Sequence, residues 1–171
     1  MYLRTANNTL VMKILLIVVG KTDQQWLTDG INQYVERLTH FCQFDIQVIP
    51  DLKNTRSMEP QVQKVREGEQ ILKLLQPSDD VWLLDDKGHE MTSPQMAQWL
   101  EKRMAQSTKR LVFIIGGPYG FSPDVYARVP GRLSLSRMTF SHQMVRLIFV
   151  EQLYRAFSIL HNLPYHHGDD S

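Results

Sequence analysis

Residues 14–19 read Ile-Leu-Leu-Ile-Val-Val, apolar without a break, rich in β-branched side chains and stopped by Gly20. A strand with one wet face alternates apolar and polar residues. A strand that is apolar at every position needs cover on both faces, as a central strand of a parallel sheet has. A second run of this kind, Leu111–Ile115, also ends on glycine. The segment 44–49, Phe-Asp-Ile-Gln-Val-Ile, alternates and reads as a strand, and Asp80–Asp85 reads as another. Helical spacing fills the intervals. Trp26, Leu27, Ile31, Tyr34, Val35 and Leu38 recur over 24–39, with Asp23 as the expected cap. Residues 61–75 form a charged helix containing Gly68 and ended by Pro77, and 93–106 opens with Ser-Pro, a helix start. Residues 50–60 read as a flexible connection and Lys87-Gly88-His89 as a turn. Strands that alternate with helices predict an α/β fold: a mostly parallel sheet with helices on both faces.

At 171 residues, with 43% apolar side chains, one domain with a sizeable core accounts for the whole. Residues 1–11 are polar and unpatterned, and are read as a disordered N-terminal extension; Met12 is the expected natural start and 12–171 the domain. The extension lacks the layout of a secretion signal, and Cys42, the only cysteine, has no internal disulfide partner. The run 14–20 is far shorter than the roughly 20 residues a membrane span needs. A cytoplasmic protein with no membrane partner is expected. The net charge of +1 does not announce nucleic acid, but nine Lys/Arg stand against three Asp/Glu between Glu101 and Arg155, leaving that half near +6 and the rest near −5. Either the charges cluster by chance on solvated faces, or the basic half meets an anionic partner.

The basic half also carries the candidate chemistry. Ile115-Gly-Gly-Pro-Tyr-Gly120 follows a strand, where glycine lets backbone amides approach a ligand. It is neither the dinucleotide fingerprint nor a phosphate loop, so a structural turn and a ligand loop stay equally open. Leu133 and Leu135 alternate with serines as a short strand that opens into the loop Ser136-Arg-Met-Thr-Phe-Ser141. His142 is expected to open the last helix, where free amide groups lower an imidazole pKa and bind anions. From 142 to 160 that helix carries more apolar surface than one sheet face can cover, and a second copy of the chain is the economical cover. Glu151 and Arg155 are spaced to pair along it, although Arg155 in so apolar a helix is also a candidate for substrate or phosphate contact. His161, His166 and His167 match no standard zinc spacing, and no metal is expected. Tyr165-His166 after Pro164 reads as a tail folded back over the body.

In this order, the motifs resemble those of one family over nearly all of 12–166: Met12-Lys-Ile with Val19-Gly20-Lys21, Glu67-Gly-Glu69, Leu84-Asp85 with Gly88, the 115–120 glycine loop, Leu133-Ser-Leu-Ser, Met138-Thr-Phe, His142-Gln-Met-Val-Arg146, Glu151-Gln-Leu-Tyr-Arg-Ala156 and Pro164-Tyr-His166. The chain resembles the bacterial large-subunit rRNA pseudouridine N3-methyltransferases, the RlmH family of the SPOUT superfamily. Two features depart from the pattern: Ser141 stands where the family usually has proline, and the tail continues to Ser171. The resemblance implies a C-terminal trefoil knot, S-adenosylmethionine as methyl donor, a homodimer with the site at its interface, and 23S rRNA on the assembled ribosome as substrate. By position it implies that Leu84, Gly116, Gly117, Leu135, Ser136, Arg137, Met138, Thr139, Phe140 and Ser141 hold the donor. His142, Arg155, Tyr165 and His166 would orient the base and stabilise its anion, with His142 or His166 taking the N3 proton. Surface arginines such as Arg128, Arg132 and Arg137 would meet phosphates. A non-catalytic ribosome-binding factor on the same fold, and a knotted methyltransferase for another RNA, are the rival readings.

Overall fold

The structure, a computed structural model, describes residues 12–106 and 110–167. The expected extension at 1–11 and the last residues of the tail lie outside the described residues. Five strands form one all-parallel sheet in the order β2-β1-β4-β3-β5: β1 Lys13–Val19, β2 Gln43–Ile49, β3 Asp80–Glu90, β4 Arg110–Ile115 and β5 Gly131–Ser134. The helices are α1 Gln25–Leu38, α2 Pro60–Lys73, α3 Ser93–Ala105, α4 Pro123–Arg128 and α5 Met144–Leu160. None of the described helices is long and apolar enough to cross a membrane.

The unbroken apolar runs do what their composition demands. Ile14, Leu16 and Val18 of β1, with Leu111, Phe113 and Ile115 of β4, join the core under α1, α3 and α5. Ile17 and Val19, with Val112 and Ile114, join the opposite core under α2 and α4. Each strand therefore feeds two cores through the period-2 alternation of its side chains. At about 25 cal/mol per Å², each fully buried Leu, Ile or Val contributes on the order of 1.5–3 kcal/mol.

Several local expectations are corrected. Helix α1 begins at Gln25 with Gln24 in the cap position, so Asp23 stands one residue too early to cap; its backbone N–H donates instead to Gln143 Oε1 at 3.1 Å. Lys87-Gly88-His89 is no isolated turn, because β3 runs through it to Glu90 with a register break: Leu133 of β5 lies opposite both Leu84 and His89. The intervening residues bulge out of the ladder. At Gly88 a Cβ would stand 2.7 Å from the Arg132 carbonyl carbon, so only glycine lets β5 approach this closely. The short helix α4 has no counterpart in the sequence reading, since six residues are too few to display a helical period. The expected flexible connection at 50–60 holds one 3-10 turn at Thr55–Ser57. By contrast, α3 starts where Ser-Pro placed it, closed by a capping box in which Thr92 and Gln95 exchange backbone and side-chain hydrogen bonds.

Helix α5 packs between α1 and α3, which bury Phe149, Val150, Leu153, Ala156 and Phe157. Part of the apolar surface read from the sequence is thus buried within the chain, while Val145, Leu147, Tyr154 and Leu160 stay half-buried. Its outer stripe, Met144, Ile148, Glu151, Arg155 and Ile159, stays partly exposed.

Candidate active site

The carboxyl ends of β3, β4 and β5 converge at the edge of the sheet where successive crossovers part, the usual position for a ligand crevice in α/β folds. A cleft of about 490 Å³ opens there. Leu84, Gly116, Gly117, Leu135, Ser136, Met138, Thr139, Phe140, Ser141 and His142 all line it. Of the residues assigned by resemblance to the donor, Arg137 alone points away: its Nε donates to Glu90 Oε1 at 2.6 Å on the outer surface.

Hydroxyl groups staple the 135–142 loop. Ser134 Oγ donates to the carbonyls of Asp86 and Ser136, at 3.2 and 2.9 Å. Ser136 Oγ accepts from the Met138 amide at 2.9 Å, and Thr139 Oγ1 donates to Asp86 Oδ2 at 2.9 Å. Ser141 Oγ accepts from the Met144 amide at 3.0 Å, and its carbonyl accepts from Val145. Ser141, at the proline position of the resemblance, therefore supplies a capping interaction to the first turn of α5.

His142 lies in the turn before α5, not within it, since the helix begins at Met144. Its imidazole is half-buried, and its pKa is lowered first by that burial and then by the nearby Arg146 charge, with Asp23 and Asp51 opposing. The helix terminus invoked from sequence is not among these causes. Arg146 is itself 1% exposed. Its guanidinium donates to the carbonyls of Val19, Gly20 and His142 at 2.8, 2.8 and 3.1 Å, and to Thr22 Oγ1 at 3.2 Å. A buried cation tied to four neutral oxygens, with two carboxylates in its field, locks the end of β1 to the base of α5.

Sequence reasoning missed the acidic wall of the cleft. The bulge in β3 swings Asp85, Asp86 and Lys87 into it. Tyr126 of α4 donates to Asp85 Oδ2 at 2.6 Å, and Arg132 stacks over the Tyr126 ring at 4.1 Å. Burial works to raise the Asp85 carboxyl, but hydrogen bonds from Tyr126 and the Lys87 amide carry it below the usual carboxylate range. Burial first, and then Asp85, pushes Tyr126 up to about 12. The signal for this wall was the Asp-Asp pair directly after Leu84, which reads as a strand end until the bulge is known.

The remaining assigned residues form a separate cluster. The tail does fold back: Tyr165 packs edge-on to Tyr154 at 4.8 Å, donates to Glu151 Oε1 at 3.1 Å, and lies 2.9 Å from the Tyr34 hydroxyl. Arg155 Nε donates to Glu151 Oε1 at 3.1 Å, and its Nη1 lies 3.1 Å from His166 Nδ1. A guanidinium has only donors, so His166 accepts at Nδ1 and carries its proton at Nε2. Burial, Tyr34 and Glu151 raise the Tyr165 pKa, so its hydroxyl stays protonated. From the start of α5 at Met144, just after His142, Arg155 lies roughly 16 Å along the helix at 1.5 Å per residue.

Four of the nine basic residues of the basic half form ion pairs among the described residues. Arg103 pairs with Asp80, Arg110 with Asp79, Arg137 with Glu90 and Arg155 with Glu151. Arg128 and Arg132 remain exposed. Cys42 is buried, and that burial pushes its thiol up to about 12, which leaves it no nucleophilic character.

Residues 12–166 match the family described as "Predicted SPOUT methyltransferase". Proteins named ribosomal RNA large subunit methyltransferase H from Bacteroides fragilis, Parabacteroides distasonis and Porphyromonas gingivalis are 58%, 57% and 51% identical to the chain over 156 residues, covering 91% of it and 99% of each relative.

Proposed function

The chain belongs to the SPOUT methyltransferase family, and on that premise we propose that it methylates N3 of a pseudouridine in a 23S rRNA hairpin on the assembled ribosome, using S-adenosylmethionine. The observation that carries this reading is the cleft, whose lining coincides with the segments where the family resemblance puts the donor. The residues fit such a group. The volume of about 490 Å³ suits a nucleoside-sized ligand. Ile115, Phe121, Leu135 and Val145 give apolar walls for an adenine, while side-chain-free Gly116 and Gly117 leave backbone groups open to it. Asp85 and Asp86 give the cleft carboxylates that would suit a cationic donor. No phosphate-binding lysine loop is present, which disfavours a nucleoside polyphosphate.

The donor supplies a methyl group activated by a sulfonium; the protein's part is to hold the base and manage its proton. A nitrogen acid attacks well only as its anion, so a proton acceptor and an anion stabiliser are required. His142 fits the first role, because it lines the cleft and its lowered pKa keeps it neutral. His166 is less suited, because its Nδ1 already accepts from Arg155. Arg155, Tyr165 and His166 fit the second role as preorganised donors. Arg155 stands about 15 Å of helix beyond Val145 at the cleft, with Tyr165 and His166 packed beside it, away from the cleft of their own chain. A homodimer with the α5 helices crossing would bring the cluster of one protomer over the cleft of its partner, which is the reading we adopt. Exposed Arg128, Arg132 and Arg137 would meet rRNA phosphates, and action on ribosomes places the protein in the cytoplasm.

Transfer of label from methyl-labelled donor to ribosomes lacking the modification, followed by mapping of the labelled nucleotide, tests the proposal. Label at N3 of a large-subunit pseudouridine is expected. Label on transfer RNA, or none despite donor binding, would refute it.

A further inference from the structure

Glu67 of α2 is a buried carboxylate that the methyl-transfer chemistry above does not use. It is 4% exposed, and its Oε1 has no hydrogen-bond partner among the described residues. Its other oxygen accepts from Gln63 Nε2 at 3.2 Å. No cation offsets the charge: burial raises the Glu67 pKa, the Gln63 hydrogen bond lowers it, and the Asp51 charge raises it further. An uncompensated buried charge is costly, and a glutamine of the same shape would avoid the cost.

Its position gives the cost a use. A Cβ on Gly117 would stand 2.5 Å from Glu67 Oε1, so the carboxylate is packed directly against the glycine loop. The same Gly117 lines the cleft. Glu67 thus lies one residue's breadth behind the cleft wall, shielded from solvent. Next to Glu67, Gly68 packs on Ser122 and Val125 at the start of α4, so α2 lies tight against the segment that follows the loop. Charges across such a dry wall interact more strongly than across water.

We infer that Glu67 is a specificity-determining residue of the cleft: its carboxylate, held behind Gly117, favours a cationic methyl donor over the uncharged sulfide that remains after transfer. The inference rests on the donor-site reading given above. In the transfer, the N3 lone pair forms the new bond to the methyl carbon and the sulfur keeps the electron pair of the bond that breaks. The positive charge on sulfur vanishes at that moment, and with it the attraction of Glu67. The product is then held less firmly than the donor by the group that helped admit the donor. Asp85 and Asp86 act in the same sense from the cleft wall, but the exposed Asp86 is screened by salt whereas Glu67 is not.

Isothermal titration of S-adenosylmethionine and S-adenosylhomocysteine, each against wild type, Glu67→Gln and Glu67→Asp at 0.3 M salt, tests this. Glu67→Gln is expected to weaken the donor about tenfold and to leave the product within about twofold, the scale of one screened charge pair across a residue's breadth. Glu67→Asp keeps the charge, so the donor-to-product ratio should stay within about twofold of wild type even if both affinities fall; this arm stands alone should the glutamine variant not fold. Equal weakening of both ligands by Glu67→Gln, no weakening, or loss of the ratio in Glu67→Asp overturns the inference alone. A wild-type chain that binds neither ligand overturns the donor-site reading as well.

Discussion

A single methyl group on Gly117 tests whether the glycine loop and α2 are mechanically one unit. Gly117 does not have the positive φ that favours glycine, so alanine is admissible there on backbone grounds. The obstacle is Glu67: the new Cβ would stand 2.5 Å from Oε1, 2.9 Å from Oε2 and 3.0 Å from Cδ. Relief requires the glutamate to leave its rotamer, about 0.5–1.5 kcal/mol, and to give up its bond to Gln63, about 1 kcal/mol. Gly117→Ala should therefore destabilise the fold by about 2 kcal/mol and weaken donor binding as the loop is pressed into the cleft. In the double variant Glu67→Ala/Gly117→Ala the methyl has room, so the pair should be less destabilised than the sum of the singles by about 2 kcal/mol. Guanidinium unfolding of the four proteins at one chain concentration measures the cycle. Additivity within about 0.5 kcal/mol, or wild-type stability in Gly117→Ala, would refute the contact argument.

Alanine at His142 or at Tyr165 should leave donor affinity within about threefold and cut methyl transfer by about 100-fold or more; retained activity in both variants would remove them from the proposed chemistry. Because His142 has a folded pKa below 6.5, the folded chain binds fewer protons than the unfolded one as pH falls through that window. Its contribution to stability therefore declines on acidification, and transfer that depends on neutral His142 should stay level from pH 7 to 8 and fall only below the ordinary imidazole range. Arg146→Gln removes the positive neighbour and should move that acid limb upward, read as a pH–rate profile, whereas an unmoved limb would dissociate the two residues. Affinity for ribosomes should drop with salt, and charge removal at Arg128 or Arg132 should each lower the slope of log affinity against log salt by about one; a flat dependence would exclude phosphate contacts.

The sheet was readable because its evidence is local. Runs such as 14–19 and 111–115 can be satisfied only between two helix layers, and both cores confirm that demand. The glycine loop and the 133–142 segment could be named from residue type, since strand ends and small residues advertise themselves along the chain. What escaped depends on register and distance. The bulge at Asp85–Gly88 exists only because β5 pairs with both Leu84 and His89, and nothing within β3 announces it. The ion pairs of the basic half join residues such as Arg110 and Asp79, 31 positions apart. That α1 and α3 flank helix α5 on both sides could not be read from the periodicity of α5 alone. Motif order grouped Arg155, Tyr165 and His166 with His142, yet helix geometry holds them apart within one chain.

Arg146 carries one further consequence. Its donors reach carbonyls at Val19 and Gly20, 127 and 126 positions earlier in the chain. Until that side chain arrives, the exit of the opening strand keeps bare acceptors, and the floor beneath His142 is unbuilt. A growing polypeptide can complete its sheet while this end of the cleft stays open; it closes late, when the final helix docks and clasps the first strand to the last helix.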